Sequence, residues 1–171
     1  THIFPYPFAF AKELLALCHQ QGVSISTLVL ENELSLHSRQ EVMDYYRHIW
    51  EIMQECIQKG LETEGLLPGP MRLPRRAPHL NSLLTSFPAE SLANSFQMLD
   101  WVSPFALAAS EVNAAGGRVV TAPTNGACGI IPAVFAYYNK FVHSVTDDDL
   151  LKFFLCSGAI GLLYRMNASL S

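Results

Sequence analysis

One cysteine of the chain lies among residues that favour a thiolate or a metal ligand. Cys128 follows the β-branched run 119–121 and a tight turn over residues 123–126, and an apolar helix is predicted directly after it. Unpaired N–H groups and the positive dipole end of a helix start stabilise an anion such as a thiolate. Arg118 is the only charged residue between positions 112 and 139. The sequence therefore predicts a buried anion or metal-ligand site rather than a solvated loop.

Three interpretations of Cys128 are open from the residues alone: an inert core side chain, a nucleophile activated by the helix start, or a ligand of a metal or cluster. A nucleophile needs a base, and the nearest downstream histidine, His143, lies about four helical turns further on. A histidine from elsewhere in the fold could also serve. The other thiols, Cys18, Cys56 and Cys156, lie on apolar helical faces, where core packing is expected.

Polar groups flank the thiol. Thr121, Thr124 and Asn125 could hydrogen-bond a small polar ligand, although the pair of Asn125 and Gly126 also favours a turn by itself. Neither the P-loop nor the dinucleotide-binding glycine pattern is present. The six histidines show no metal-type clustering, the arginines at 72, 75 and 76 are best read as a solvated loop face, and Glu111 has no evident partner.

Composition narrows the class of protein. Of the 171 residues, 50% are hydrophobic and only 15% are charged, against a typical value of about 25%, which indicates extensive burial or contact surfaces. The net charge of −4 argues against nucleic acid as a partner. The longest nearly apolar stretch, 153–164, is shorter than the ~20 residues that a bilayer requires, and the first residues do not resemble a signal peptide. Four widely spaced cysteines without a Cys-x-x-Cys pair fit a reducing cytoplasm.

Helical periodicity and helix-boundary signals predict an all-α fold with at most a short extended segment near 118–122. The predicted helices cover 9–21, about 26–36, 39–59, two helices or one kinked helix within 88–116, about 130–144 and about 146–165. The predicted N-terminal signals are Ser26, Ser38 with Glu41, Pro88, Ser103 with Pro104, and Thr146 before three aspartates. The predicted stops are Gly22, Gly60 and the pair Gly116 and Gly117. The proline-rich stretch 67–78 is predicted to be an ordered crossing rather than a flexible linker.

The stretch 121–134, which reads TAPTNGACGIIPAV, resembles the bacterial iron–sulfur L-serine dehydratases, also called L-serine ammonia-lyases. The resemblance extends over essentially the whole chain and follows the order of that family. The other similar stretches are 14–18, 24–26, 49–53, 63–65, 73–76, 113–120 and 164–169.

The resemblance implies a lyase that converts L-serine to pyruvate and ammonia, in amino-acid degradation and gluconeogenesis. It implies a [4Fe–4S] cluster with one open iron, which acts as a Lewis acid on the leaving hydroxyl while an unidentified base removes the α-proton. Cys128 matches a cluster cysteine of the family, and the neighbouring turn residues Thr124, Asn125 and Gly126 are the candidates for substrate binding. A homodimer is expected.

The family carries further cluster cysteines downstream and a serine-binding stretch in an upstream regulatory domain, and neither is in this sequence. Residues 1–171 are therefore expected to be an N-terminal portion of the α-helical catalytic domain, truncated at both ends, and unable to hold the cluster alone. Three alternatives are a self-sufficient cysteine-nucleophile enzyme, a helical module that binds a small carboxylate, and a pyridoxal-phosphate dehydratase. The last would need a Schiff-base lysine, whereas the four lysines lie on ordinary helical faces.

Overall fold

The computed structural model describes residues 3–87, 97–121 and 124–168, and the predicted all-α class is confirmed for them. The only β pairing in these ranges is an isolated antiparallel bridge between Leu66 and Pro74. The helices are α1 (Ala11–Gln21), α2 (Ile25–Leu34), α3 (Arg39–Glu62), α4 (Ala77–Ser86), α5 (Gln97–Ala114), α6 (Ile130–Phe141) and α7 (Asp147–Asn167). The chain divides into two compact units, residues 1–48 with 145–171, and residues 49–144.

The first unit contains α1, α2, the beginning of α3 and α7. Its core is formed by Leu14, Cys18, Leu28 and Ala159. Gly22 follows α1 as predicted. The α2 cap is Ser24 rather than the predicted Ser26, because its hydroxyl accepts a hydrogen bond from the Thr27 N–H at 3.2 Å. The helix also ends at Leu34, two residues before the predicted end.

The predicted capping box at Ser38 is confirmed, and the predicted helix start at Thr146 forms a second capping box that was not predicted. The Ser38 hydroxyl accepts from the Glu41 N–H at 3.2 Å, and the Glu41 carboxylate accepts from the Ser38 N–H at 2.7 Å. Thr146 and Asp149 form the same reciprocal pair at the start of α7. Three consecutive aspartates in the first turn of α7 suit the positive end of its dipole.

The second unit contains the rest of α3 with α4, α5 and α6. A cluster of buried residues joins these helices; its members are Ile57, Ala77, Trp101, Phe105, Ala108 and Ala133. The predicted end of α3 at Lys59 and Gly60 is wrong, because the helix continues to Glu62. A Cβ at Gly60 would lie 2.3 Å from the Ala108 carbonyl oxygen, so this glycine permits close packing of α3 against α5.

The predicted helix start at Ser103 and Pro104 is also wrong. Pro104 is fully buried inside α5, and the Ser103 hydroxyl donates to the Leu99 carbonyl oxygen at 2.7 Å within the same helix. Burial of an apolar ring compensates for the missing N–H at this position. The predicted start at Pro88 lies outside the described residues. The stop at Gly116 and Gly117 is confirmed, since both N–H groups bond to carbonyls of the last turn of α5.

Three segments that connect or end helices were predicted with different success. The stretch 67–78 is ordered, as predicted, by backbone hydrogen bonds such as that from the Leu67 N–H to the Leu73 carbonyl at 2.7 Å. Residues 118–121 form no strand in the described part of the predicted extended segment. Helix α6 ends at Phe141 rather than near 144, because the Tyr138 carbonyl accepts from the N–H groups of both Val142 and His143.

Candidate thiolate site before helix α6

Cys128 lies between two helical segments. A single 3₁₀ turn, Asn125–Ala127, ends at Cys128, whose N–H donates to the Asn125 carbonyl at 3.2 Å. Helix α6 begins two residues later, at Ile130, with Pro132 in its first turn as predicted. Cys128 is 6% exposed, so the burial expected for this residue is confirmed, whereas residues 124–127 before it are exposed to solvent.

Gly129, the residue after the thiol, packs closely against α5. A Cβ placed on Gly129 would lie 2.4 Å from the Ala106 carbonyl oxygen and 2.9 Å from the Ser110 hydroxyl oxygen. Real Cβ atoms do not approach backbone oxygens so closely, and only glycine allows the chain to turn at this distance from α5. The position of Cys128 is therefore set by backbone contact with a neighbouring helix.

The candidate binding residues Thr124, Asn125 and Gly126 are exposed beside this buried thiol. The Asn125 amide donates to the Asn113 side-chain oxygen at 3.2 Å, and the Thr121 hydroxyl donates to the Thr124 carbonyl at 2.7 Å. These bonds hold the turn in one conformation. The structure thus brings the predicted polar residues together on the solvent side of Cys128.

The protonation of Cys128 differs from the expectation at a helix start. Burial raises the pKa of the thiol above 9.0, and the hydrogen bond from its own N–H lowers it by less. Desolvation therefore outweighs this hydrogen bond, and the free thiol is neutral near pH 7. A nucleophilic cysteine needs a lowered pKa, which disfavours that interpretation. A metal ligand does not, since a bound metal displaces the thiol proton.

A second thiol lies near the first. Cys56 of α3 is buried against Ala109 and Val112 of α5, as predicted for a core residue. Burial, and then the neighbouring Cys128, raises the pKa of Cys56 from 9.0 to about 11. The proximity of these two cysteines was not predicted, because it depends on how α3 and the turn before α6 pack on α5.

The remaining thiols lie in the other unit. Cys18 is buried as predicted, whereas Cys156 is only half-buried, so its assignment to the core is only partly right. Burial, with a smaller contribution from Cys156, raises the pKa of the Cys18 thiol. These two cysteines therefore lie near each other.

Glu111 is a buried carboxylate that sequence reasoning left without a partner. It accepts from the Arg76 N–H at 2.7 Å and from the Ala77 N–H at 3.4 Å, at the start of α4. An acidic side chain on α5 thus caps another helix, where the dipole favours a negative charge. The signals available in the sequence were an acid in an apolar run and a helix start after Arg76 that lacked its own capping side chain.

The other candidate side chains named from the sequence, which are histidines and arginines, do not add to this site. His37 and His48 are exposed, as are Arg72 and Arg76, in agreement with surface roles. Across 3–87, 97–121 and 124–168, no three His, Cys, Asp or Glu side chains form a group able to hold a metal ion. Within the same ranges, no helix is both long enough and apolar enough to cross a membrane.

Residues 20–171 match the family described as the serine dehydratase alpha chain. The chain belongs to that family. L-serine dehydratase 1 of Escherichia coli strain K12 is 56% identical over 168 residues, which cover 98% of this chain and 37% of that protein.

Similarity of the same extent is found in other bacteria. L-serine dehydratase of Haemophilus influenzae is 50% identical over 98% of this chain, and that of Streptomyces coelicolor is 44% identical over 99% of it. Each alignment covers 36% of the relative. The chain therefore corresponds to little more than a third of the length of these serine dehydratases.

Proposed function

We propose that this chain is part of an iron–sulfur L-serine ammonia-lyase, in which Cys128 supplies one thiolate to a [4Fe–4S] cluster. The observation that carries the proposal is the buried Cys128 thiol in a glycine-bounded turn against α5, with exposed polar residues on its solvent side. Membership of the serine dehydratase alpha chain family, and relatives named L-serine dehydratase, support L-serine as the substrate.

The described residues of this chain fit one thiolate ligand of such a cluster and not its full set of ligands. Cysteine thiolates hold most of the irons of a four-iron cluster, and among the described residues no three ligands converge. We propose that the other ligands, and an upstream regulatory domain, belong to the remaining length of the enzyme, and that the enzyme is a cytoplasmic homodimer. When bound, the cluster supplies an iron with an open position that acts as a Lewis acid.

This chain contributes the Cys128 ligand and, beside it, polar groups that would orient the substrate. The Thr124 and Gly126 backbone and the Asn125 side chain form an exposed polar edge suited to the ammonium and carboxylate groups of a small amino acid. The hydrogen bonds between Asn125 and Asn113, and the close packing of Gly129 on α5, hold the turn on both sides of Cys128. Preorganised polar groups of this kind bind substrate in one orientation.

Iron content in the full-length enzyme tests the ligand assignment. Cys128→Ser should abolish iron binding and pyruvate production from serine while helical circular dichroism is retained, because a serine hydroxyl is a poor iron ligand at neutral pH. The matched control is Cys156→Ser, a half-buried thiol in the other unit, which should keep its iron. Retention of iron by Cys128→Ser, or loss of iron by a folded Cys156→Ser variant, would contradict the assignment.

The isolated chain provides a second test. Anaerobic reconstitution of residues 1–171 with iron and sulfide should give no cluster absorbance, and the product should release no pyruvate from L-serine. Turnover by this chain alone would refute the proposal that the ligand set is shared with other parts of the enzyme. The cysteine-nucleophile alternative predicts instead that Cys128 reacts with an alkylating reagent at neutral pH in the folded chain, and its raised pKa opposes that result.

A further inference from the structure

An apolar stripe runs along the outside of α6, beginning beside Cys128. Its residues are Ile130, Ile131, Val134, Phe141 and Val142, each between 37% and 57% exposed. At about 100° per residue they fall within a sector of about 120° on one side of the helix. Lys140 is the only charged residue of α6, and it lies outside this sector, with its ammonium group 4.2 Å from the centre of the Trp101 ring.

Scattered apolar side chains are normal on a protein surface, but several exposed apolar residues in one sector of a single helix indicate a contact surface. The opposite side of α6 is already packed, since Pro132, Ala133 and Phe135 are buried. Phe135 lies edge-on to Trp50, with 4.7 Å between ring centroids. The helix therefore has one side in the core of its unit and one apolar side whose residues stay 37–57% exposed, with the Phe141 ring 5.1 Å from the Trp101 ring at one end.

We infer that this α6 stripe is the docking surface for the cysteine-bearing remainder of the same enzyme polypeptide. The inference rests on the proposed function of Cys128. Thiolates that share a cluster with Cys128 must lie against the surface around it, and that surface begins at Ile130, two residues away. The relatives have ample further chain for this contact, since the aligned region covers only 37% of the Escherichia coli protein.

Photo-crosslinking in the full-length enzyme tests the identity of the occupant. Benzoylphenylalanine at Val134, on the stripe, should crosslink within its own polypeptide to a segment outside residues 1–171, identified by mass spectrometry of the linked peptides. A crosslink to a second copy of the enzyme, seen as a covalent dimer, would assign the stripe to a subunit interface and overturn the inference. Absence of any crosslink at full photolysis would also overturn it.

A charge on the stripe tests its connection with the cluster. Val134→Glu should reduce the iron content of the full-length enzyme to background, whereas Leu15→Glu on α1, a site that is 58% exposed, should leave it unchanged. The 171-residue chain with Val134→Glu should keep its helicity and unfolding midpoint, because Val134 is 43% exposed in it. If Val134→Glu keeps iron while Cys128→Ser loses it, the docking inference fails alone; if Cys128→Ser keeps iron, the proposed function fails.

Discussion

Asn113 and Asn125 join the end of α5 to the turn that carries Cys128. The Asn125 Nδ2 donates to Asn113 Oδ1 at 3.2 Å, and the Asn113 Nδ2 donates to the Asn125 carbonyl at 3.4 Å. The same carbonyl accepts from the Cys128 N–H. One helix side chain therefore helps to fix the backbone on which the candidate thiolate ligand sits, and the turn does not depend on its own residues alone.

Asn113→Ala should loosen the Cys128 turn. It removes two hydrogen bonds, each worth about 0.5–1.5 kcal/mol, while the turn keeps the packing of Gly129. We expect faster amide hydrogen exchange over residues 125–129 and, in the full-length enzyme, a raised KM for serine with iron retained. Thr85→Ala is the control, since that hydroxyl bonds only within α4; equal exchange in both variants would contradict the role of Asn113.

Gly60→Ala should destabilise the chain by about 1–3 kcal/mol, the usual cost of overpacking. The added methyl would meet backbone atoms of Ala108, so two helices must separate to admit it. Gly158→Ala in α7 is the matched control, because a Cβ there meets nothing within 4 Å and alanine favours a helix. Urea unfolding should show a lower midpoint for the first variant and an equal or higher one for the second; equal midpoints would show that the contact is not tight.

Helix boundaries were predictable where residues next to the boundary set them. The errors occurred where packing against a neighbouring helix sets the boundary. The capping box at Ser38 and the helix start at Thr146 depend on residues of the same helical turn, and both were predicted correctly. Gly60 and Pro104 are typical boundary residues, yet each lies inside a helix because of tertiary packing that a local pattern cannot show.

Only the local features of the candidate site were predictable from the sequence. The position and burial of Cys128 followed from its apolar neighbourhood, but the raised pKa depends on desolvation by packed helices. The pairs of Cys56 with Cys128 and Asn113 with Asn125 join positions whose proximity only the fold creates.

Removal of the Glu111 carboxylate should weaken the start of α4. Glu111→Leu leaves the Arg76 and Ala77 N–H groups without their acceptor, at a cost of about 1–3 kcal/mol for buried donors. Glu111→Gln keeps one acceptor oxygen and should lose less. Urea unfolding and hydrogen exchange at the first turn of α4 measure the effect, and equal stability of the Leu variant and the unchanged chain would show that the cap contributes nothing.

The Cys56 thiol should make the free energy of unfolding depend on pH in the alkaline range. Below pH 9.0 the thiol is protonated in both states, so its full contribution to stability is present. Between 9.0 and about 11 it ionises in the unfolded chain while burial keeps it protonated in the folded one, and stability falls as the pH rises. Cys56→Ser removes this titration, so urea midpoints at about pH 8 and about pH 10 should differ less in the variant than in the unchanged chain. An identical loss of stability in both proteins would mean that the Cys56 thiol ionises equally easily in the folded and unfolded states, and that α3 and α5 do not desolvate it.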